Sequence, residues 1–165
     1  MQTLVKCLFL FLTFSSVPLY GHEKQHHKTD SSIKPEPATQ DQEKTLAEIN
    51  ETYLTNIKPI FEKKCNTCHG GPTQYPWYYK FPFAKDLIDS DIAEAKKHLD
   101  FSQNFPFKGH GTPKEDLAAI AKSINEGTMP PMRYWALHWG ARLTEEEKKN
   151  IQAWIDSSLS LFNKP

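Results

Sequence analysis

Cysteine is scarce in this chain. Its 165 residues hold three, Cys7, Cys65 and Cys68, too few for the disulfide framework of a small secreted scaffold. Zinc asks for four ligands, and no second Cys or His pair stands at finger-like spacing from Cys65 and Cys68. Charge of one sign is also lacking: 20 Lys and Arg balance 20 Asp and Glu. That balance excludes the basic footprint of a nucleic-acid binder and any acidic tail. Arginine occurs only twice, as Arg133 and Arg142. No run alternates apolar and polar residues as a half-buried strand does, so a thioredoxin-like βαβ setting for the cysteine pair is missing. Long hydrophobic runs are absent as well. The uncharged stretch from Cys7 to Gly21 falls short of the about 20 residues that span a bilayer.

That stretch follows Lys6 and ends at the small residue Gly21, just before the polar His22-Glu23-Lys24, the layout of a secretory signal peptide. We therefore expect 1–21 to be cleaved, with no retained transmembrane segment. Cys7 is not flanked by the small residues of a lipoprotein site, and its removal leaves Cys65 and Cys68 as the only thiols. Residues 22–44 are polar, carry Pro35 and Pro37, and lack the apolar surface needed to order themselves, so they read as a flexible linker. His22, His26 and His27 lie there; they could bind a stray metal ion, but a solvated linker is the expected reading. The domain proper is expected over 45–165.

What is present is Cys65-Asn66-Thr67-Cys68-His69. This C-x-x-C-H is the attachment signature of a c-type haem. Residues i and i+3 share a helix face, so two thiols so placed can each bond one vinyl group of a single porphyrin. His69 can then place its imidazole under the ring as the proximal ligand. An aromatic content of 12% suits a chain that wraps a large flat cofactor, and the loop Tyr75-Pro76-Trp77-Tyr78 offers Trp77 as a cofactor contact.

The rest of the pattern is helical. Leu46, Ile49, Tyr53 and Ile57 form one apolar stripe from Thr45 onward, with a kink or restart at Pro59. Gly70, Gly71 and Pro72 stop the helix after the motif. Ile88, Ile92, Ala95 and Leu99 make a second helix, and 100–112 is irregular. Thr112, Pro113 and Glu115 sign a third helix, closed by Gly127. Thr144 and Glu147 open the last, whose buried face is Ile151, Trp154, Ile155 and Leu159. With no strand in view, the expected fold is all-α, a cytochrome c-like helical domain around one covalently attached haem.

A six-coordinate iron needs a ligand opposite His69. Met129, in Gly127-Thr128-Met129-Pro130-Pro131, sits before proline and is pushed into extended geometry. Such a stiff loop can lay a thioether on the haem face. Methionine opposite histidine raises the reduction potential, as suits an electron carrier. Met132, His98 and His110 are rivals, and His138 is the runner-up. Arg133 and Arg142 flank this segment, and their guanidinium forks suit haem propionates. The second ring nitrogen of His69 should donate to a carbonyl, expected from the loop between Gly71 and Pro76.

Taken in order, Cys-Asn-Thr-Cys-His (65–69), Tyr-Pro-Trp-Tyr (75–78), Lys-Lys-His-Leu-Asp-Phe-Ser (96–102), Glu-Gly-Thr-Met-Pro-Pro (126–131) and Leu-His-Trp-Gly-Ala-Arg-Leu-Thr-Glu-Glu-Glu (137–147) resemble the bacterial haem-binding domain family of single-haem c-type cytochromes, over about Ile57 to Ile155. Two positions depart from the family pattern: Trp139 stands where proline is usual, and Gly70 where serine is frequent. The resemblance implies haem c, attached outside the cytoplasmic membrane, and a periplasmic or otherwise exported bacterial protein. The function expected is electron transfer to and from redox partner proteins, with no nucleic acid involved and no catalytic residue. The alternatives are a haem enzyme or ligand sensor with a displaceable sixth ligand, peroxidase-like or gas-binding, and a haem-bearing module of a larger redox assembly.

Overall fold

The N-terminal apolar stripe is one long helical run with a widened turn inside it. The computed structural model describes residues 39–71 and 73–164. The chain divides into two units, Met1–Glu36 and Pro37–Pro165, and the described residues belong to the second. The expected signal peptide, and the expected linker as far as residue 38, lie outside them. The run begins with α1 (Gln40–Thr52), passes through a π segment (Tyr53–Ile57) and continues as α2 (Lys58–Lys64). Its start comes five residues before the expected Thr45. The Thr39 hydroxyl accepts from the Gln42 N–H, and the Gln42 side chain accepts from the Thr39 N–H, a capping box hidden in a polar stretch. Residues 40–44, assigned to the linker by composition, are therefore helical.

Ile49, Tyr53, Ile57 and Phe61 are all at most 2% exposed. A strict spacing of four drifts around an α-helix of 3.6 residues per turn. The wider π turn at Tyr53–Ile57 takes up that drift and holds all four on the core side. It also settles Pro59, which has no N–H to give: the Lys58 N–H bonds to the Tyr53 carbonyl and the helix resumes with proline in its first turn.

α3 (Asn66–His69) carries the motif, and a 3₁₀ turn (Trp77–Lys80) leads into α4 (Pro82–His98). Leu99, expected as the end of the second helix, instead opens β1 (Leu99–Asp100). This strand pairs antiparallel with β2 (Lys108–Gly109), Leu99 opposite Gly109. The expectation of no strand is corrected here, since two-residue strands are too short to leave a periodic trace. α5 (Pro113–Asn125) and α7 (Glu145–Phe162) have the expected capping boxes, and Gly127 takes the left-handed conformation, φ +64°. The single turn α6 (Met132–Trp135) and a 3₁₀ turn (Trp139–Ala141) lie between them.

α7 packs on α1, on the π segment and on α5. The core joins Ile49, Tyr53, Ile57 and Phe61 to Leu117, Ile120, Ile151, Trp154 and Ile155. Phe101, Phe105 and Phe107, from the stretch read as irregular, complete it: Phe107 meets the Tyr53 ring at 5.2 Å, and Phe101 meets Phe61 at 4.8 Å. The domain is all-α apart from the small β pair. Among the described residues, no helix is long and apolar enough to cross a membrane.

Candidate functional site

The motif is presented by a tight turn at the end of α2. The Cys65 N–H closes α2 on the Phe61 carbonyl (2.8 Å), and the Cys68 and His69 N–H groups both turn back to the Cys65 carbonyl (3.2 and 3.1 Å). Both cysteines are free thiols and partly buried. Burial pushes the Cys65 thiol up to about 12, with the nearby Glu147 carboxylate adding to it. It raises Cys68 too, where Asp91 adds and Arg133 opposes. Both sulfurs are therefore neutral S–H groups at ordinary pH.

His69 is oriented from β1. Its Nδ1 lies 2.7 Å from the Leu99 carbonyl oxygen, which only accepts, so Nδ1 bears the proton and Nε2 keeps its lone pair. The Phe101 N–H donates to the His69 carbonyl (2.6 Å), and the Phe101 ring sits 5.2 Å from the imidazole. The expected carbonyl partner from the Gly71–Pro76 loop is thus corrected to Leu99, which the β1 turn delivers from thirty residues away. Desolvation by burial lowers the pKa of His69, and the Leu99 bond only partly offsets this. A neutral imidazole with a fixed tautomer is what a metal ligand requires.

Cys68, Tyr78, Ile88, Ile92 and Tyr134 line one cavity beside the motif. α4 supplies no fully buried residue, and its apolar Ile88 and Ile92 border this space. Of the two thiols and the imidazole, Cys68 alone lines this cavity; the donor set itself, two neutral thiols and an imidazole with an unprotonated Nε2 on one turn, is the one that holds a covalent haem. The residues present therefore fit a haem. Gly70 is needed where it stands, because a Cβ there would meet Asn66 Cγ at 2.4 Å and Asn66 Cβ at 2.6 Å.

Met129 is 45% exposed and lines a different cavity, with Ile124, Trp135 and Arg142; His69 is not among its lining residues. Met132 is also exposed. His138 has both ring nitrogens engaged: Nδ1 faces the Tyr134 carbonyl at 2.8 Å, and Nε2 accepts from the Tyr78 hydroxyl at 3.2 Å. Its ring stacks on Tyr134 at 4.1 Å. His98 and His110 pair with one another. Arg133 gives its fork to Asp91, with Nε 3.1 Å from the carboxylate, so any propionate competes with Asp91 for it. Arg142 lies over the Trp135 ring at 4.3 Å. Trp77 is 75% exposed and packs edge-on against Tyr78 and Phe81.

Lys64 is the residue sequence reasoning missed. Its side chain is 6% exposed, and Nζ donates to the Gly140 and Arg142 carbonyls at 2.6 and 2.8 Å. It ties the motif's helix to the end of the segment that carries Met129. A lysine preceding Cys65 gives no signal of this, since its partners are backbone atoms more than seventy positions away.

Comparison with known proteins agrees with the fit. The chain is 38% identical over 96 residues to the cytochrome c peroxidase Ccp of Escherichia coli (strain K12), which covers 57% of this chain and 21% of that protein. The chain thus spans about a fifth of the length of that relative. No solved structure matches it. The model of the haem-binding domain family matches residues 13–157. The neutral thiol pair, the oriented imidazole and this match over most of the length place the chain in the haem-binding domain family.

Proposed function

We propose that the protein is an exported c-type cytochrome that carries single electrons. Cys65 and Cys68 would hold the haem through two thioethers, each the net addition of one S–H across one vinyl group, with no electron gained or lost. His69 Nε2 and the Met129 thioether would hold its iron. When bound, the haem supplies a one-electron Fe(III)/Fe(II) couple. The chain's part is to orient the imidazole through Leu99, wall the porphyrin with α4 and α6, and set the potential. The observation that carries this reading is the His69 Nδ1 bond to Leu99, which leaves Nε2 unprotonated on the same turn as two free thiols.

The peroxidase name of the E. coli relative favours a second reading, in which the sixth site opens to peroxide or a small gas. That likeness covers one part of a longer protein, and such a part can be a carrier segment or a catalytic one.

The optical spectrum of the matured protein separates the readings. We expect a weak near-red band from Met–iron coordination, lost in Met129→Ala and kept in His138→Ala. Rapid cyanide binding, peroxide turnover and no such band would sink the carrier reading in favour of the enzyme. Haem that leaves the chain under acid–organic extraction would refute covalent attachment.

A further inference from the structure

His98 ends α4 and His110 follows β2, so pairing of β1 with β2 brings the two rings together. Their centroids are 4.9 Å apart, with His98 Nδ1 3.4 Å from His110 Nε2. The outer nitrogen of each ring already faces an acceptor. His98 Nε2 lies 2.8 Å from the Glu94 carboxylate, and His110 Nδ1 lies 3.3 Å from the His98 carbonyl oxygen. A neutral imidazole has one N–H. With both N–H groups turned outward, His98 Nδ1 and His110 Nε2 meet as two lone pairs; in the other tautomer one ring donates to the other across the same gap.

A cation between the two nitrogens takes both lone pairs as ligands and replaces the hydrogen bond that otherwise joins the rings. Tetrahedral Zn–N bonds of about 2.0–2.1 Å put two ligating nitrogens about 3.3 Å apart, close to the separation found. We propose that His98 Nδ1 and His110 Nε2 form a site for a borderline divalent transition ion, Zn²⁺ or Cu²⁺, separate from the haem. Imidazole pairs select such ions over Mg²⁺ or Ca²⁺. Glu94 is then the carboxylate that orients a ligating histidine and raises its basicity. Among the described residues, no three His, Cys, Asp or Glu side chains converge on one point. The protein thus gives two ligands and water the rest, which the exposure of both histidines permits.

The backbone is shaped for this approach. Gly109 has φ +143°, and a Cβ there would stand 2.5 Å from the His98 carbonyl oxygen. Glycine alone lets β2 close on His98 and carry His110 over it. The ion also clamps the ends of the Phe101–Phe107 segment, one residue from the Leu99 carbonyl that orients His69.

The test titrates the matured full-length protein with Zn²⁺ against a chromophoric chelator. His98→Gln, His110→Gln and Glu94→Gln run alongside, with a triple His22→Gln, His26→Gln, His27→Gln variant to remove the N-terminal histidines. One Zn²⁺ per chain should remain in the triple variant. Affinity should fall at least tenfold in each single histidine variant and about tenfold in Glu94→Gln. Zn²⁺ should raise the thermal midpoint of the wild type and leave that of His110→Gln unmoved. Unchanged haem absorbance reports that the variants fold, and Glu94→Gln, at an exposed surface position, covers the case where a histidine variant does not. Wild-type affinity in His98→Gln and His110→Gln overturns the proposal. So does a triple variant that binds no Zn²⁺, since the pair would then share a proton instead.

Discussion

His69 is kept neutral by its surroundings, and that has a pH signature. Its folded pKa lies below the ordinary 6.5, chiefly through burial. Below that pH the unfolded chain takes up a proton that the folded ring resists. Stability contributed above pH 6.5 is therefore lost as pH falls toward the folded pKa. Urea midpoints of the haem-free protein should drop from about pH 6.5 downward, before the carboxylates titrate, and His69→Gln should flatten that limb. A second residue-scale test concerns Gly70. Serine there would press on Asn66 Cβ and Cγ, so Gly70→Ser should cost about 1–3 kcal/mol, as overpacking does. Adding Asn66→Ala should recover part of the loss, which a double-mutant cycle in urea reads directly. At this scale, motif spacing made Cys65, Cys68 and His69 legible. The partner of His69 was not legible, because Leu99 reaches it only through tertiary structure.

At the scale of elements, the sequence was most legible where the chain caps itself. Thr112 with Glu115 and Thr144 with Glu147 both form the boxes their spacing predicts. The Thr39 box escaped notice because composition marked its neighbourhood as linker. β1 and β2 escaped because a two-residue strand has no period. Cross-element ties were the other blind spot, and Lys64 is the clearest of them. Methionine at this position keeps much of the volume but leaves the Gly140 and Arg142 carbonyls without their donor. Lys64→Met should therefore cost about 1.5–3 kcal/mol, the range for hydrogen bonds to a charged group. If Met129 ligates the iron, the same change should weaken the near-red band, because the segment from Gly127 to Arg142 loses its far anchor. Equilibrium unfolding and the optical spectrum of one preparation read both effects. An unchanged midpoint would mean that water replaces the ammonium at no cost.

For the whole molecule, the all-α class followed from helical stripes and caps, while the division of aromatic labour did not. The aromatic content suits a chain that wraps a cofactor, yet Phe101, Phe105 and Phe107 pack on Tyr53, Phe61 and Trp154. The core is thus built from protein rings, and a folded haem-free form is expected. That form tests attachment directly. With the Cys65 thiol pushed up from 9.0 to about 12, the unfolded chain ionises first as pH rises, and the folded thiol does not follow. Stability should then fall from about pH 9 toward pH 12, at up to ~1.4 kcal/mol per pH unit for one proton. Tyr53, raised from 10.0 to about 12 by burial, adds a further decline above pH 10 whether or not haem is bound. Thioethers at Cys65 and Cys68 have no proton to lose, so the limb that starts near pH 9 should be absent from the matured protein and reduced in haem-free Cys65→Ala, where Cys68 alone is left to give it. Urea midpoints across this range measure it in all three. If the matured protein keeps the limb of the haem-free wild type, Cys65 is a free thiol in it and the proposed double attachment is wrong.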